Sequence, residues 1–485
     1  MRKKFSLLLE ERALSWETFC IHFAAAAKEL ARATGNPRFA AVTVGRTTLE
    51  RWSSEAWTGR PRGEATRILE LMFGLSVDEL FSPTYSGSPD EAQTIAETFR
   101  LRWGSSRLAL PVPGAAGSWE FSEREGLDGT SAAVMLLPVS GAKESSRDAD
   151  ASLSVADFLR PSRRGFLLGV EGAKDGPSNL YVRDALSVRR EMLGPSRPEG
   201  NFPAAYRLDD LTYGIVDVVT RLDDGLLADD HAIDAEQGSL ETYLLLPRSA
   251  PSRLLTDLGA AGTGWLGSAF CALHIQHELA DAAEVPKYWT REQRGQEAVA
   301  WLLFRHKVDY LRNLQRFRSG EAQSVRVFCV PEAVVAASER YERVLLFLAI
   351  AYMQFLGITV QVIADPGYEA VDGVAVIPGR RVVVANWVRV EGEALWSATS
   401  TSARGELRRY ADVFGEANAV DVLAGTETST RLESLSEYLG LDWAWLVQRC
   451  RELGEQGTAG LVRPRSRLLT VHALDETLAL VGRLH

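Results

Sequence analysis

Ten consecutive residues, Val344–Met353, carry no charged or amide side chain and are bounded by Arg343 and Gln354. Nothing else in the chain limits its fold as tightly. A helix that is apolar all round has to be covered all round, so the chain must build a core thick enough to enclose one. No apolar run reaches the ~18 residues that mark a membrane span. A buried helix is therefore expected, with no membrane partner. The N-terminus, Arg2-Lys3-Lys4-Phe5-Ser6-Leu7-Leu8-Leu9, starts like a secretory signal, but its apolar stretch stops at Glu10, too soon for a signal-peptide core. A cytoplasmic protein is expected.

At 485 residues the chain has room for roughly three domains. Hydrophobic residues at 46% and charged residues at 24% match an ordinary globular protein and exclude a disordered, fibrous or coiled-coil chain. Cys20, Cys271, Cys329 and Cys450 stand far apart without a Cys-x-x-Cys. Buried free thiols are expected, not a zinc knuckle or a disulfide scaffold. The net charge of −10 is uneven: residues 1–82 hold 12 Lys+Arg and 10 Asp+Glu, a balance of +2 against −12 for the rest. An acidic body with a mildly basic head suits nucleic-acid contact through the head.

Local patterns divide the chain into four. Residues 6–82 read as a compact helical unit. Ser15 is placed to cap a helix from Trp16 to about Thr34, whose apolar face holds Phe19, Phe23, Ala26, Leu30 and Ala33 and which Gly35-Asn36-Pro37 stops. Shorter helices fit Arg46–Ser54 and Gly63–Phe73, and Ser76-Val77-Asp78-Glu79 is a capping box opening a last one. Residues 83–160, rich in Pro, Gly and Ser, read as a partly disordered linker. Residues 161–320 read as a helical accessory or dimerisation domain, including helices at Leu208–Leu227 and Trp265–Ala283. A long helix from a capping box at Thr290-Arg291-Glu292-Gln293 through about Phe317 completes it. Residues 321–485 read as a smaller α/β domain with trailing helices. Its strands are Val325–Val330, Ile358–Ala364, Val374–Ile377 and Arg381–Trp387, the last two joined at Pro378-Gly379-Arg380. The expected fold class is mainly α.

One stretch carries the most information. Val42-Thr43-Val44-Gly45-Arg46-Thr47-Thr48-Leu49-Glu50-Arg51-Trp52 is followed by Arg60-Pro61 and then by Ala65–Phe81, which ends Phe73-Gly74-Leu75-Ser76-Val77-Asp78-Glu79-Leu80-Phe81. Together these resemble the helix-turn-helix domain of XRE (Cro/C1-type) regulators, in the longer version found in large actinobacterial proteins. The resemblance covers about the first sixth of the chain. Phrases such as Leu222-Asp223-Asp224-Gly225-Leu226-Leu227 and Tyr288-Trp289-Thr290-Arg291-Glu292-Gln293 extend it into the body. It implies a transcription factor that binds a double-stranded DNA operator as a homodimer and carries a large accessory domain.

The residues suit that role. A recognition helix offers its N-terminal side chains to base edges in the major groove. Here these are Arg46, Thr47 and Thr48, with Glu50 and Arg51 one turn on, while Leu49 and Trp52 should face the core. An Arg paired to guanine discriminates against a wrong base by ~1–3 kcal/mol. Arg38, Arg60, Arg62 and Arg67 are candidates for phosphate contact, which orients a protein without reading sequence. Trp57 is expected in the core. The segment Asn36–Ala41 lengthens the connection before the recognition helix relative to the family pattern.

The body offers rival features. His274 and His277, three apart on a helix, with His306 from the next, are candidate metal ligands for a metal-dependent hydrolase, although their order matches no zincin motif. The pairs Asp209-Asp210, Asp223-Asp224 and Asp229-Asp230 diverge by about 100° on a helix and read as solvated faces. Gly259-Ala260-Ala261-Gly262-Thr263-Gly264 lacks a Lys-Ser/Thr and reads as a flexible connection or a tight backbone approach. Residues 324–390 resemble one half of a phospholipase-D-type fold, but no His lies between His306 and His472, so catalysis of that kind is not expected and an inert copy serving dimerisation or ligand binding is one option. Aromatics of the helical region could line a pocket for a small-molecule effector. The reading taken is a regulator without enzyme activity or cofactor. A metal-dependent hydrolase and a protein-interaction scaffold are the alternatives.

Overall fold

The computed structural model describes residues 2–11, 14–54, 57, 59–61, 63–73, 75–81, 83–84, 99, 103, 106–109, 116–124, 126–139, 158, 164–171, 179–193, 202–240, 242, 248–249, 258–317, 323–386 and 397–484. They divide into two compact units, Met1–Trp119 with Ala133–Ser178 and Glu120–Ala132 with Asn179–His485. The expected mainly α class is corrected. The fold is mixed α/β, with two mixed sheets beside its helices. The second unit is not a helical domain followed by a smaller α/β domain: one sheet runs through it from residue 248 to residue 401.

The first unit opens with a helical head. A two-residue strand β1 (Arg2–Lys3) leads into α1 (Lys4–Glu11), α2 (Trp16–Thr34), α3 (Arg46–Ser53), α4 (Glu64–Phe73) and α5 (Val77–Leu80), and β2 (Pro83–Thr84) closes antiparallel on β1. Local chemistry sets the helix ends. Ser15 Oγ accepts from Thr18 N at the start of α2, and Gly35 at φ 66 ends it in the left-handed region that a side chain resists. The extra segment before α3 forms a single 3-10 turn, Phe39–Ala41, with Phe39 buried. Fifteen buried residues, from Phe5 to Phe81, make one core for this head. Phe5 sits at its centre, against Phe19, Trp52, Phe73 and Phe81 at centroid distances of 4.9–6.3 Å.

Part of the expected linker is sheet. Strands β3 (Ser106–Ala109), β4 (Ala116–Phe121), β5 (Thr130–Pro138) and β6 (Gly165–Glu171) lie side by side, with Ala133–Pro138 parallel to Gly165–Val170. Trp119 is fully buried against Phe99 and Phe166 at 5.2 and 5.7 Å. Pro, Gly and Ser between these strands masked their short apolar alternation.

In the second unit, β7 (Asn179–Asp184) leads into helices α6 (Ala185–Leu193), α7 (Asp210–Ala228) and α8 (Asp230–Gln237), the short strand β8 (Arg248–Ser249) and helix α9 (Ala260–Glu278). Strand β9 (Lys287–Thr290) follows, then α10 (Gly295–Ala298), α11 (Ala300–Leu303), α12 (Arg305–Asn313), β10 (Val325–Cys329), α13 (Glu332–Ala337), α14 (Arg340–Phe355), β11 (Thr359–Ile363), β12 (Val374–Ile377), β13 (Arg381–Asn386) and β14 (Ser397–Thr401). Helices α15 (Arg404–Ala419), α16 (Thr428–Tyr438), α17 (Trp443–Gln456) and α18 (His472–Val481) end the chain. The apolar run is α14. Every residue of Val344–Met353 is buried, and α7, α10, α16, α18 and β11 pack around the helix. A fully buried large aliphatic or aromatic side chain contributes ~1.5–3 kcal/mol, so this helix anchors the unit.

The seven strands are ordered β11-β10-β9-β12-β13-β14-β8. β10 is parallel to β9 and β11, while β12, β13 and β14 pair antiparallel. The helix expected to start at Thr290 does not: Thr290 is in β9, at the middle of the sheet, and the expected long helix is broken into α10, α11 and α12. The last break is at Phe304, whose extended backbone pairs with Leu469. Trp289, Val327, Val374, Val376 and Val382 pack with Tyr410 and Phe414 of α15 as one core on one face of the sheet. The four cysteines are free, with Cys20 half-buried and the others buried. Among the described residues no helix is long and apolar enough to cross a membrane.

Candidate nucleic-acid interface

Helix α3 is short and two-sided. Leu49 and Trp52 are 8% and 4% exposed and belong to the head core. Arg46, Thr47, Glu50 and Arg51 are exposed, and Thr48 is half-buried. The five candidate base-contact residues thus share one short helix, and the two predicted core residues of that helix are inside. Arg46 Nε donates to Glu50 Oε1 at 3.2 Å across one turn, with both side chains more than 60% exposed. An exposed pair at this spacing is worth about 0.3–0.5 kcal/mol, so it orients Arg46 and yields easily to a stronger acceptor. The Arg51 guanidinium lies 5.7 Å from the Trp57 ring.

Trp57 is half-buried and packs on the head core, edge-on to Phe81 at 5.7 Å, as expected for a core residue. Arg38, Arg60 and Arg67 are exposed, and Arg62 lies outside the described residues. Arg38 precedes the 3-10 turn, and Arg67 stacks over Phe39 of that turn at 5.5 Å. The longer connection thus ends in a packed plug that carries one candidate phosphate ligand, Arg38, and packs against a second, Arg67 of α4.

Lys3 was invisible as a functional residue in the sequence, where it reads as part of a basic N-terminus. It is buried, and its Nζ donates to the carbonyls of Trp52 and Ser54 at 3.1 and 2.6 Å. A cation there satisfies carbonyls that the helix end leaves unpaired and complements the helix dipole. Burial lowers the Lys3 pKa. Lys3 also stands 4.9 Å over the Trp57 ring. Ser6 Oγ adds a bond to the Ser53 carbonyl at 2.9 Å. The start of the chain therefore clamps the end of α3.

The rival candidate residues all lie in the second unit. His274 is buried with neither ring nitrogen hydrogen-bonded, while His277, three residues on, is exposed. His306 Nε2 is 2.8 Å from Ser268 Oγ, and its Nδ1 has no partner. Burial pushes the His306 pKa down to about 3, with the adjacent Lys307 charge acting in the same direction, and burial lowers that of His274. Both rings are neutral at pH 7. Among the described residues no carboxylate meets His306 Nδ1, where the group that orients a catalytic base would stand. Among the described residues no cluster of three or more His, Cys, Asp or Glu is placed to hold a metal ion.

The acidic pairs do not form the solvated faces expected of them. Asp209 and Asp223 are buried. Asp209 meets Arg449 at 2.6 Å and Asp223 meets Arg465 at 3.2 Å, while Asp210 turns to Arg340 at 3.0 Å. Asp229 Oδ2 accepts from Gly259 N, and Asp128 Oδ2 accepts from Ala260 N, at 2.9 and 2.8 Å. The glycine-rich start of α9 is thus a tight approach whose amides bind the protein's own carboxylates, not a phosphate cradle.

No known protein family, curated protein or solved structure matches the chain.

Proposed function

We propose that this protein is a sequence-specific DNA-binding regulator that reads the major groove with α3. One observation carries the reading. A two-turn helix turns Arg46, Thr47, Glu50 and Arg51 outward while Leu49 and Trp52 hold it in the head core. Arg46 and Arg51 read base edges, Thr47 and Thr48 contact bases or phosphates, and Glu50 orients Arg46 or accepts from cytosine. Arg38, Arg60 and Arg67 hold phosphates around it. The protein binds as a homodimer, one head per half-site, about 34 Å or a multiple apart.

The test is selection of genomic DNA fragments on the full-length protein at near-physiological salt, beside the Arg46→Ala/Arg51→Ala double variant. An inverted-repeat motif is expected with wild type and lost with the variant. Arg60→Ala is expected to weaken binding to all sequences and to reduce the salt slope by about one counterion. Identical motifs from wild type and the double variant would remove α3 as the reader.

A further inference from the structure

The seven-stranded sheet carries a cavity of about 60 Å³, lined wholly by residues of the second unit. It has room for about four water molecules, or a solute of similar size. Strand alternation builds its floor. Trp289 and Val327 point into the core under α15, so their neighbours Tyr288, Thr290 and Arg326 point the other way. Arg326 and Tyr288 are direct partners in the parallel β9/β10 register. Ser268 and Cys271 of α9, Trp301 of α11 and Tyr310 of α12 line the same space.

Three N–H donor atoms of the lining, on Arg326 and Trp301, are buried without an acceptor among the described residues. Arg326 is 3% exposed, and Nη1 donates to Thr290 Oγ1 at 2.9 Å. Its Nε and Nη2 are buried without a hydrogen-bond partner, as is Trp301 Nε1, while the Tyr310 hydroxyl lies against both the Tyr288 hydroxyl and the Arg326 side chain. The guanidinium carbon lies 4.7, 4.5 and 6.0 Å from the Tyr288, Trp301 and Tyr310 ring centres. The cavity's buried carboxylate, Glu292, is bound to Lys307 at 3.0 Å. Among the described residues of the lining, that pair cancels and no carboxylate is left to match the Arg326 charge. Buried cations are held by anions or by full hydrogen bonding, and the rings supply only their faces.

Nε and Nη2 form the side edge of the guanidinium, the edge whose two parallel N–H bonds match a planar carboxylate. We propose that this cavity binds a compact organic carboxylate, of about four to six heavy atoms, with Arg326 gripping it side-on. The tyrosine hydroxyls and the Trp301 indole donate to its remaining oxygens. The site is independent of the DNA reading and could be present in a protein that never meets an operator.

Full-length protein is titrated with sodium acetate and with sodium pyruvate against sodium chloride at matched ionic strength. Tryptophan fluorescence and melting temperature are followed. A saturable change with half-saturation at or below about 1 mM is expected for at least one carboxylate. Arg326→Lys keeps the charge and loses the fork, so half-saturation should rise at least about tenfold. Tyr310→Phe deletes one hydroxyl with little change of shape and should weaken binding severalfold even where the Arg326 variant does not fold. No saturable response of the wild type to either salt overturns the proposal, as does unchanged affinity in Tyr310→Phe. A saturable response to sodium phosphate with none to the carboxylates would overturn the assignment of a planar ligand.

Discussion

Lys3 is buried and His306 half-buried, and the role of each depends on one or two partners. The Lys3 ammonium ties the chain start to two carbonyls at the end of α3. Lys3→Met should cost the head about 1–3 kcal/mol, since two carbonyls lose a charged donor. Urea unfolding of the head should show it, with Arg46 and Arg51 untouched. His306 gives a pH dependence of known sign. Its folded pKa, about 3, lies below the ordinary value of 6.5. Between those values the unfolded chain binds a proton that the folded chain does not. Stability therefore rises with pH across that window and is lost as pH falls through it. From pH 7 to pH 5 the loss from this one group should be about 2 kcal/mol. His306→Gln should flatten that part of the profile, as read from urea midpoints at the two pH values. His274 shifts in the same direction and will leave a residual slope.

Whole elements meet where the backbone allows it. α10 approaches α14 so closely that a Cβ on Gly295 would overlap the Glu342 carbonyl. Gly295→Ala should destabilise the second unit by about 1–3 kcal/mol or more, as overpacking does. Thermal unfolding followed by tryptophan fluorescence would register it, while Gly405→Ala, on α15 with open space around it, serves as the matched control. Most helices were legible in advance because their signals are local. Ser15 caps α2, and Gly35 stops it. The strands Val374–Ile377 and Arg381–Asn386 and their turn at Gly379, φ 68, were equally plain. The capping box read at Thr290 misled, because its residues have distant partners: Thr290 accepts from Arg326, and Glu292 accepts from Lys307.

At the scale of the molecule, the head is the part most nearly complete in itself. Among the described residues its core draws on those between Phe5 and Phe81, and β1 pairs with β2 across its ends. A fragment of residues 1–84 is expected to fold alone, with helical circular dichroism and one cooperative urea transition. A fragment of residues 6–84, lacking Lys3 and Phe5, is expected to lose that cooperativity. The same dependence explains what was missed: starting the head at residue 6 leaves out both the cation that ends α3 and the ring at the centre of its core.

The chain alone thus disclosed what lies within a few residues of its own signal: helix ends, the inward side of α3, and a wholly apolar helix that demanded a thick core. Both faces of α3 could be read from a 3.6-residue period, because that period is a property of one segment. The sheet could not. β9 joins β10 across 34 intervening residues and β12 across 83, and a pairing at that distance leaves no periodic trace in either strand. Arg326 shows the same limit. Within Val325–Cys329 it is one charge in an apolar strand. Its meaning comes from Tyr288, Trp301 and Tyr310, which strand register and helix packing bring to it from elsewhere in the chain.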